Sequence, residues 1–256
     1  MSDTLAIYLS YYTALITVVR PAIVAAILIG LWIALRRTRL TADAQLATWL
    51  AVAIPLVAWL AVIWSIAESG ALQAQASAFP LLPFALVLPV ATGLVLLTRS
   101  ERVAAAIDTV SPGWLIGLQV YRILGGNFVV LWALGGAIPG VFAIPAGFGD
   151  MLVGALALPV AFYVASGAAG GRAVAVAWNI FGIADLINAI SLGFLSSLGP
   201  LHLIALDQSN VLATSYPMVM TPAFAVPLSL ILHGLSLWQL RRRGGRRERL
   251  TFAPAK

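Results

Sequence analysis

The sequence predicts an all-α polytopic membrane protein: seven transmembrane helices, the N-terminus outside and the C-terminus cytoplasmic. Three observations predict it. Of 256 residues, 61% are hydrophobic and 9% charged, whereas soluble domains average about 25% charged. With a mean hydropathy of +0.99, a fold in water would leave far too much apolar surface uncovered. Seven runs of about 20 apolar residues, the length that crosses a bilayer, divide the chain. Apart from Arg20 and Arg122, every basic residue follows an odd-numbered run or precedes an even-numbered one, and the positive-inside rule turns that alternation into an orientation.

The first run, about 15–35, ends at Arg36, Arg37 and Arg39. Arg20-Pro21 lies within it. Pro21 suits the first turn of a helix, where its missing N–H costs nothing; residues before it would then lie at the interface, with Tyr8, Tyr11 and Tyr12 at headgroup level. A longer, kinked span is the other reading. The second run, about 46–66, is closed by Glu68-Ser-Gly. The third, about 79–97, carries Pro80, Pro83 and Pro89 and ends at Arg99, Glu101 and Arg102; its prolines imply kinks, tolerated where neighbours satisfy the freed carbonyls. Residues 103–110 are short and amphipathic enough to lie on the surface. Ser111-Pro112 is a helix start, Ser as N-cap and Pro at the first position. The fourth run, about 113–137, is thinned by Gly125-Gly126 and Gly135-Gly136, which allow close helix contact. The fifth (about 146–166) and sixth (about 173–195) flank GAAGGR. An outer loop with His202, Asp207 and Asn210 leads to the seventh, about 216–240, which ends in RRRGGRRER. Residues 1–240 are thus expected to form one membrane domain and 241–256 a basic cytoplasmic tail, disordered from about Leu250. ALVLPVA (85–91) echoes ALALPVA (155–161), and FAIP (142–145) echoes FAVP (224–227), as an ancestral repeat would.

Composition excludes several functions. The chain has no cysteine, so disulfides, thiol catalysis, CxxCH haem attachment and Cys-based zinc sites are out. Two histidines, His202 and His233, are too few for a multi-haem cytochrome. The sole lysine, Lys256, gives neither a Walker lysine nor a retinal Schiff base. HExxH and GxSxG do not occur. Met218 and Met220 could bind Cu(I), but with no Cys or nearby His in sequence they read as packing. No metal, cofactor or catalytic set is expected. No cleavable signal peptide is expected either, since the N-terminus lacks a basic n-region. The net charge of +6 reads as topology rather than nucleic-acid binding, and the terminal arginines as an anionic-lipid contact. The location expected is a bacterial-type inner membrane, with homo-oligomers compatible.

The polar words fall in three spans: YRILGGN (121–127), IPAGFGD (144–150) and WNIFGIADLINA (178–189). A charge in hydrocarbon costs roughly 3 kcal/mol on insertion scales, so such residues usually have partners or face a wet cavity. The candidate binding or ion-pathway residues are Arg20, Arg122, Asn127, Asp150, Asn179, Asp185, Asn188 and His233. At about 1.5 Å per helical residue, Arg122 lies roughly 15 Å and Asp185 roughly 20 Å from the cytoplasmic face, Arg20 and Asp150 roughly 22–24 Å. Two level pairs result, Arg122 with Asp185 and Arg20 with Asp150, exchangeable and summing to zero charge. Asp185 and Asn188 share a helix face, with Asn179 about 120° away. Gly147 and Gly149 suggest a bent or broken start to the fifth span. His233 reads as a structurally bonded histidine, or as a relay partner of Asp185.

GFGD and GIAD resemble the paired aspartates of lysoplasmalogenase-like membrane proteins over a handful of residues. The span count and flanking motifs depart from that family, so no activity is carried over. Three functions remain. A transporter or carrier of a small solute or proton-coupled substrate accounts for the buried charges and the Gly/Pro interruptions. A membrane-embedded enzyme acting on a lipid could use Asp150 and Asp185 as acid and base. A non-catalytic scaffold or assembly subunit would use the same residues only to lock helices.

Overall fold

The computed structural model of the chain describes residues 3–73 and 81–251, with side chains through 244. Seven helical segments are long and apolar enough to cross a membrane, and the described residues contain no strand. Phe79 and Pro80, expected to open the third span, lie outside the described residues, as does the tail beyond Thr251.

Helix α1 (Asp3–Arg36) runs without a break through Pro21. The longer-span reading therefore holds, and Pro21 does not start the helix. Its 34 residues reach about 51 Å, more than the ~30 Å hydrocarbon core. Tyr12 is buried and Tyr8 half-buried; they face the bundle rather than headgroups, because α1 carries a polar edge that finds partners inside. Tyr11 alone of the three is exposed.

Helix α2 (Ala42–Glu68) is capped by Thr41, whose side chain accepts from Ala44 N at 3.3 Å. Helix α3 (Leu81–Arg99) continues without a break across Pro89 and buries only Leu86. The amphipathic α4 (Glu101–Thr109) is capped by Ser100 and turns Val103, Ala104, Ala106 and Ile107 inward.

The fourth span is not one helix. It comprises α5 (Pro112–Gly117), capped by Ser111, then a 3-10 stretch (Leu118–Gly125), then α6 (Gly126–Ala133). Runs of 3-10 helix beyond three or four residues are uncommon and often mark functional positions. Gly135 and Gly136 fall in the turn that follows, both at positive φ, which glycine adopts without a Cβ penalty.

Helix α7 (Gly140–Ala165) is continuous across IPAGFGD, so the expected break at the start of the fifth span is absent. The glycines serve approach instead: a Cβ on Gly154 would lie 2.3 Å from the Ile123 backbone nitrogen. Helix α8 (Gly171–Ser196) follows. In the loop after it, Asn210 is fully buried and its backbone N–H donates to the Ser196 carbonyl at 2.8 Å.

The last span opens with a π-helical turn (Thr221–Ala225) and continues as α9 (Val226–Thr251); of the tail 250–256 expected to be disordered, only Leu250 and Thr251 are described, and both are helical. This span is the axis of the bundle: 78% of its apolar window is buried, against 6% for α3. Met218 and Met220 are fully enclosed beside it, consistent with packing. The two ALxLPVA words sit in unlike surroundings, one on barely buried α3 and one on α7, which buries eight residues.

Candidate functional site: a buried arginine between two aspartates

The 3-10 stretch places Arg122 in the middle of the bundle, 3% exposed. Its Nε donates to Asp150 Oδ1 at 2.7 Å, and its Nη2 reaches Asp150 Oδ1 at 2.7 Å and Asp185 Oδ2 at 2.6 Å. Its Nη1 donates to the Gly182 carbonyl at 3.2 Å and to His233 Nε2 at 2.9 Å. Arginine has five N–H donors and no acceptor; here four make hydrogen bonds, and Nη2 also lies in ion-pair contact with Asp150.

That inventory fixes the histidine. A guanidinium can only donate, so His233 Nε2 must offer its lone pair, and Nδ1 carries the proton. Nδ1 accordingly donates to Asn179 Oδ1 at 2.9 Å. The Asn179 amide nitrogen, its orientation set by the same logic, donates to the Ala175 carbonyl at 2.7 Å and to Ser236 Oγ at 3.0 Å. His233 therefore bonds Arg122 and Asn179, not Asp185; the guanidinium stands between the two in place of a direct relay. Gly182 makes the room, since a Cβ there would fall 2.4 Å from His233 Cε1. Replacing His233 with Phe strands an Arg122 N–H and the Asn179 carbonyl, each costing about 1–3 kcal/mol. His233→Phe should lower the melting temperature in detergent more than His233→Gln; equal melting of the two variants would contradict the bonding scheme.

Of the two expected pairs, Arg122 with Asp185 is present and Arg20 with Asp150 is not. Asp150 goes to Arg122 because the guanidinium fork accommodates two carboxylates at once. Arg20, 3% exposed, donates from Nη2 to Thr221 Oγ1 at 3.1 Å, and Tyr12 shares that hydroxyl at 3.1 Å. Its Nε meets no hydrogen-bond partner. Arg20 and Asp150 both line a cavity of about 20 Å³, together with Tyr121, Thr221 and Ser229. Arg122 lines it as well, so two arginines and one aspartate border it.

Asn127 stands apart. It accepts from the Tyr8 hydroxyl and donates to the Leu124 carbonyl, toward the end of the bundle away from the arginine-rich loops. Asn188 does not join the site: it is exposed. On a 100° period Gly182 centres the inward arc of α8, with Asn179 and Asp185 about 60° to either side; Asn188 lies about 120° away, beyond its edge. Among the described residues no group of three His, Asp or Glu is placed to hold a metal.

Several site residues were not singled out from sequence. Ser229, Ser236, Gln239 and Arg243 join the expected His233 on one face of a helix, at intervals of four, three, three and four along 229, 233, 236, 239 and 243. Tyr121 shares a hydrogen bond with Ser229 at 2.7 Å. Gln239 donates to the carbonyls of Ile107 at 2.6 Å and Val110 at 2.9 Å, and Arg242 pairs with Asp108 at 2.9 Å. With Tyr8, Asn127, Tyr12 and Thr221, these side chains make a polar file from one end of the bundle to the other. The intervals on α9 were the available signal.

A family model matches residues 78–241, a stretch that holds Arg122, Asn127, Asp150, Asn179, Asp185, Asn188 and His233 but not Arg20. No curated protein and no solved structure matches the chain. The chain belongs to the family described as Domain of unknown function (DUF8737).

Proposed function

We propose that the protein is a carrier, moving a small solute or a proton-coupled substrate along the polar file, in a cell membrane with the N-terminus outside. The reading rests chiefly on one observation. Arg20 is almost wholly buried, keeps an unpartnered Nε, and borders a small cavity that also touches Asp150. A space of about 20 Å³ suits one water. A buried cation with spare donor capacity beside a carboxylate is a place where a water or proton can be exchanged. The assigned orientation draws on the basic residues: Arg36–Arg39, Arg99–Arg102, Arg172 and the end of α9 all fall at one end of an antiparallel bundle.

Asp150 is the exchanging group in this scheme and Arg122 its fixed counter-charge, with Asp185 holding Arg122 when Asp150 is protonated. The test is flux across liposomes containing the purified chain, read with an internal pH dye. Asp150→Asn and Asp185→Asn should each fold, because Arg122 retains the other carboxylate. Each should cut proton-linked flux at least tenfold, the scale on which a single positioned proton-transfer group acts. If flux and thermal stability fall together and in proportion, the residues are a lock and the carrier assignment fails. That second reading, a static assembly subunit, is favoured by the four hydrogen bonds that Arg122 makes to three helices.

A further inference from the structure

A second cavity lies on the other side of the axis and is unrelated in chemistry. It holds about 460 Å³ and is walled almost entirely by apolar side chains of α1, α2, α3, α4, α5 and α9. Its size is that of a small-molecule site. Its lining on α3 extends from Leu88 to Leu97 and on α1 from Ile27 to Ala34, about 10–14 Å along the bundle. One leaflet's hydrocarbon is about 15 Å deep, half of the ~30 Å core. The floor at the arginine-rich end is the inward face of α4, Val103 and Ile107, and Trp114 forms a side wall against Gly30.

The cavity opens sideways. Ala51 and Pro55 on α2, and Leu88, Thr92 and Leu96 on α3, line it and are also exposed, so a slot between these helices faces the lipid. Leu96 is one turn from Arg99. Around that end of the slot the two connections carry exposed Arg36, Arg37, Arg39, Arg99 and Arg102 against Asp43 and Glu101, five positive charges and two negative, a net of +3.

We propose that this cavity binds one acyl chain of an anionic phospholipid, inserted through the α2–α3 slot, with its phosphate at Arg99 and Arg102. The depth matches one leaflet's chain, the walls offer it nothing polar, and the slot's mouth carries the charge that suits an anionic headgroup. The inference stands apart from the carrier assignment, because none of the residues bonded to Arg122 lines this cavity.

The test is native mass spectrometry of the full chain in detergent, offered phosphatidylglycerol or phosphatidylcholine of the same chain length. The wild type should retain one phosphatidylglycerol in preference to phosphatidylcholine. An Arg99→Gln, Arg102→Gln variant should lose that preference, roughly fivefold per arginine removed. Ala51→Phe and Thr92→Phe fill the slot from exposed positions and should abolish retention of either lipid while leaving lipid-free melting unchanged. Equal retention of the two lipids by the wild type overturns the proposal. So does retention by the filled variants at the wild-type level, which would place the lipid on the basic surface alone. Filled variants that melt early are replaced by Thr92→Leu, judged by the same retention.

Discussion

Arg122→Met should be the most damaging single substitution in the chain, costing about 3–5 kcal/mol, the usual penalty for removing one partner of a buried ion pair. It leaves Asp150 and Asp185 without their shared cation, both less than a tenth exposed. It also strands the Gly182 carbonyl and His233 Nε2. The instructive comparison is the triple variant Arg122→Met, Asp150→Asn, Asp185→Asn. Well-packed neutral groups can match or exceed a buried charged cluster in stability, so the triple variant should recover most of the loss while carrying no flux. Folded yield and melting temperature in detergent provide the measurement. A triple variant as unstable as Arg122→Met would mean the charges are not what the single change disturbs.

Gly154→Ala and Gly149→Ala should follow closely. A Cβ on Gly154 meets backbone, 2.3 Å from Ile123 N, and backbone in a packed interface has little room to move. Overpacking typically costs 1–3 kcal/mol, and the upper part of that range is expected here. On Gly149 the Cβ would fall 1.7 Å from Asp185 Oδ1, so the carboxylate must leave its place on Arg122. Gly154→Ala should reduce folded yield outright. Gly149→Ala should spare more of the fold but impair flux as Asp185→Asn does. Gly193→Ala is the control, its Cβ at an ordinary 3.5 Å from Phe142. If all three variants melt together, close approach of α7 is not what these glycines provide.

The seven spans were legible because apolar length is a strong signal, and the Ser111-Pro112 start because capping chemistry is local. Arg122 with Asp185 was legible from depth alone. Four features were not. The depth arithmetic assumed 1.5 Å per residue throughout, whereas 3-10 helix rises about 2.0 Å, lifting Arg122 by about 2 Å toward Asp150. The break in the fourth span shows only in the burial, which residue types do not betray: Gly113, Ile116, Gln119, Arg122, Gly125, Phe128 and Leu131 are all buried, at a strict spacing of three. An α-helix drifts about 60° off such a spacing every three residues, and a 3-10 helix does not. Composition made the glycines of the fifth span look like a hinge, although glycine serves close packing equally well. Asn188 was misplaced because spacing tells which residues share a face, and not which face turns inward.

The hydrogen bonds of Arg122 have a mechanical corollary. One side chain fastens the fourth span to α7, α8 and α9, so these four move as a single block or not at all. Across the seam to α1, side-chain hydrogen bonds run to uncharged receivers: the Thr221 hydroxyl for Arg20 and Tyr12, and the Asn127 amide for Tyr8. On the carrier reading proposed above, a rocking motion that admits cargo would shear along α1, the longest rod, pivoting on contacts that can be exchanged for water one at a time.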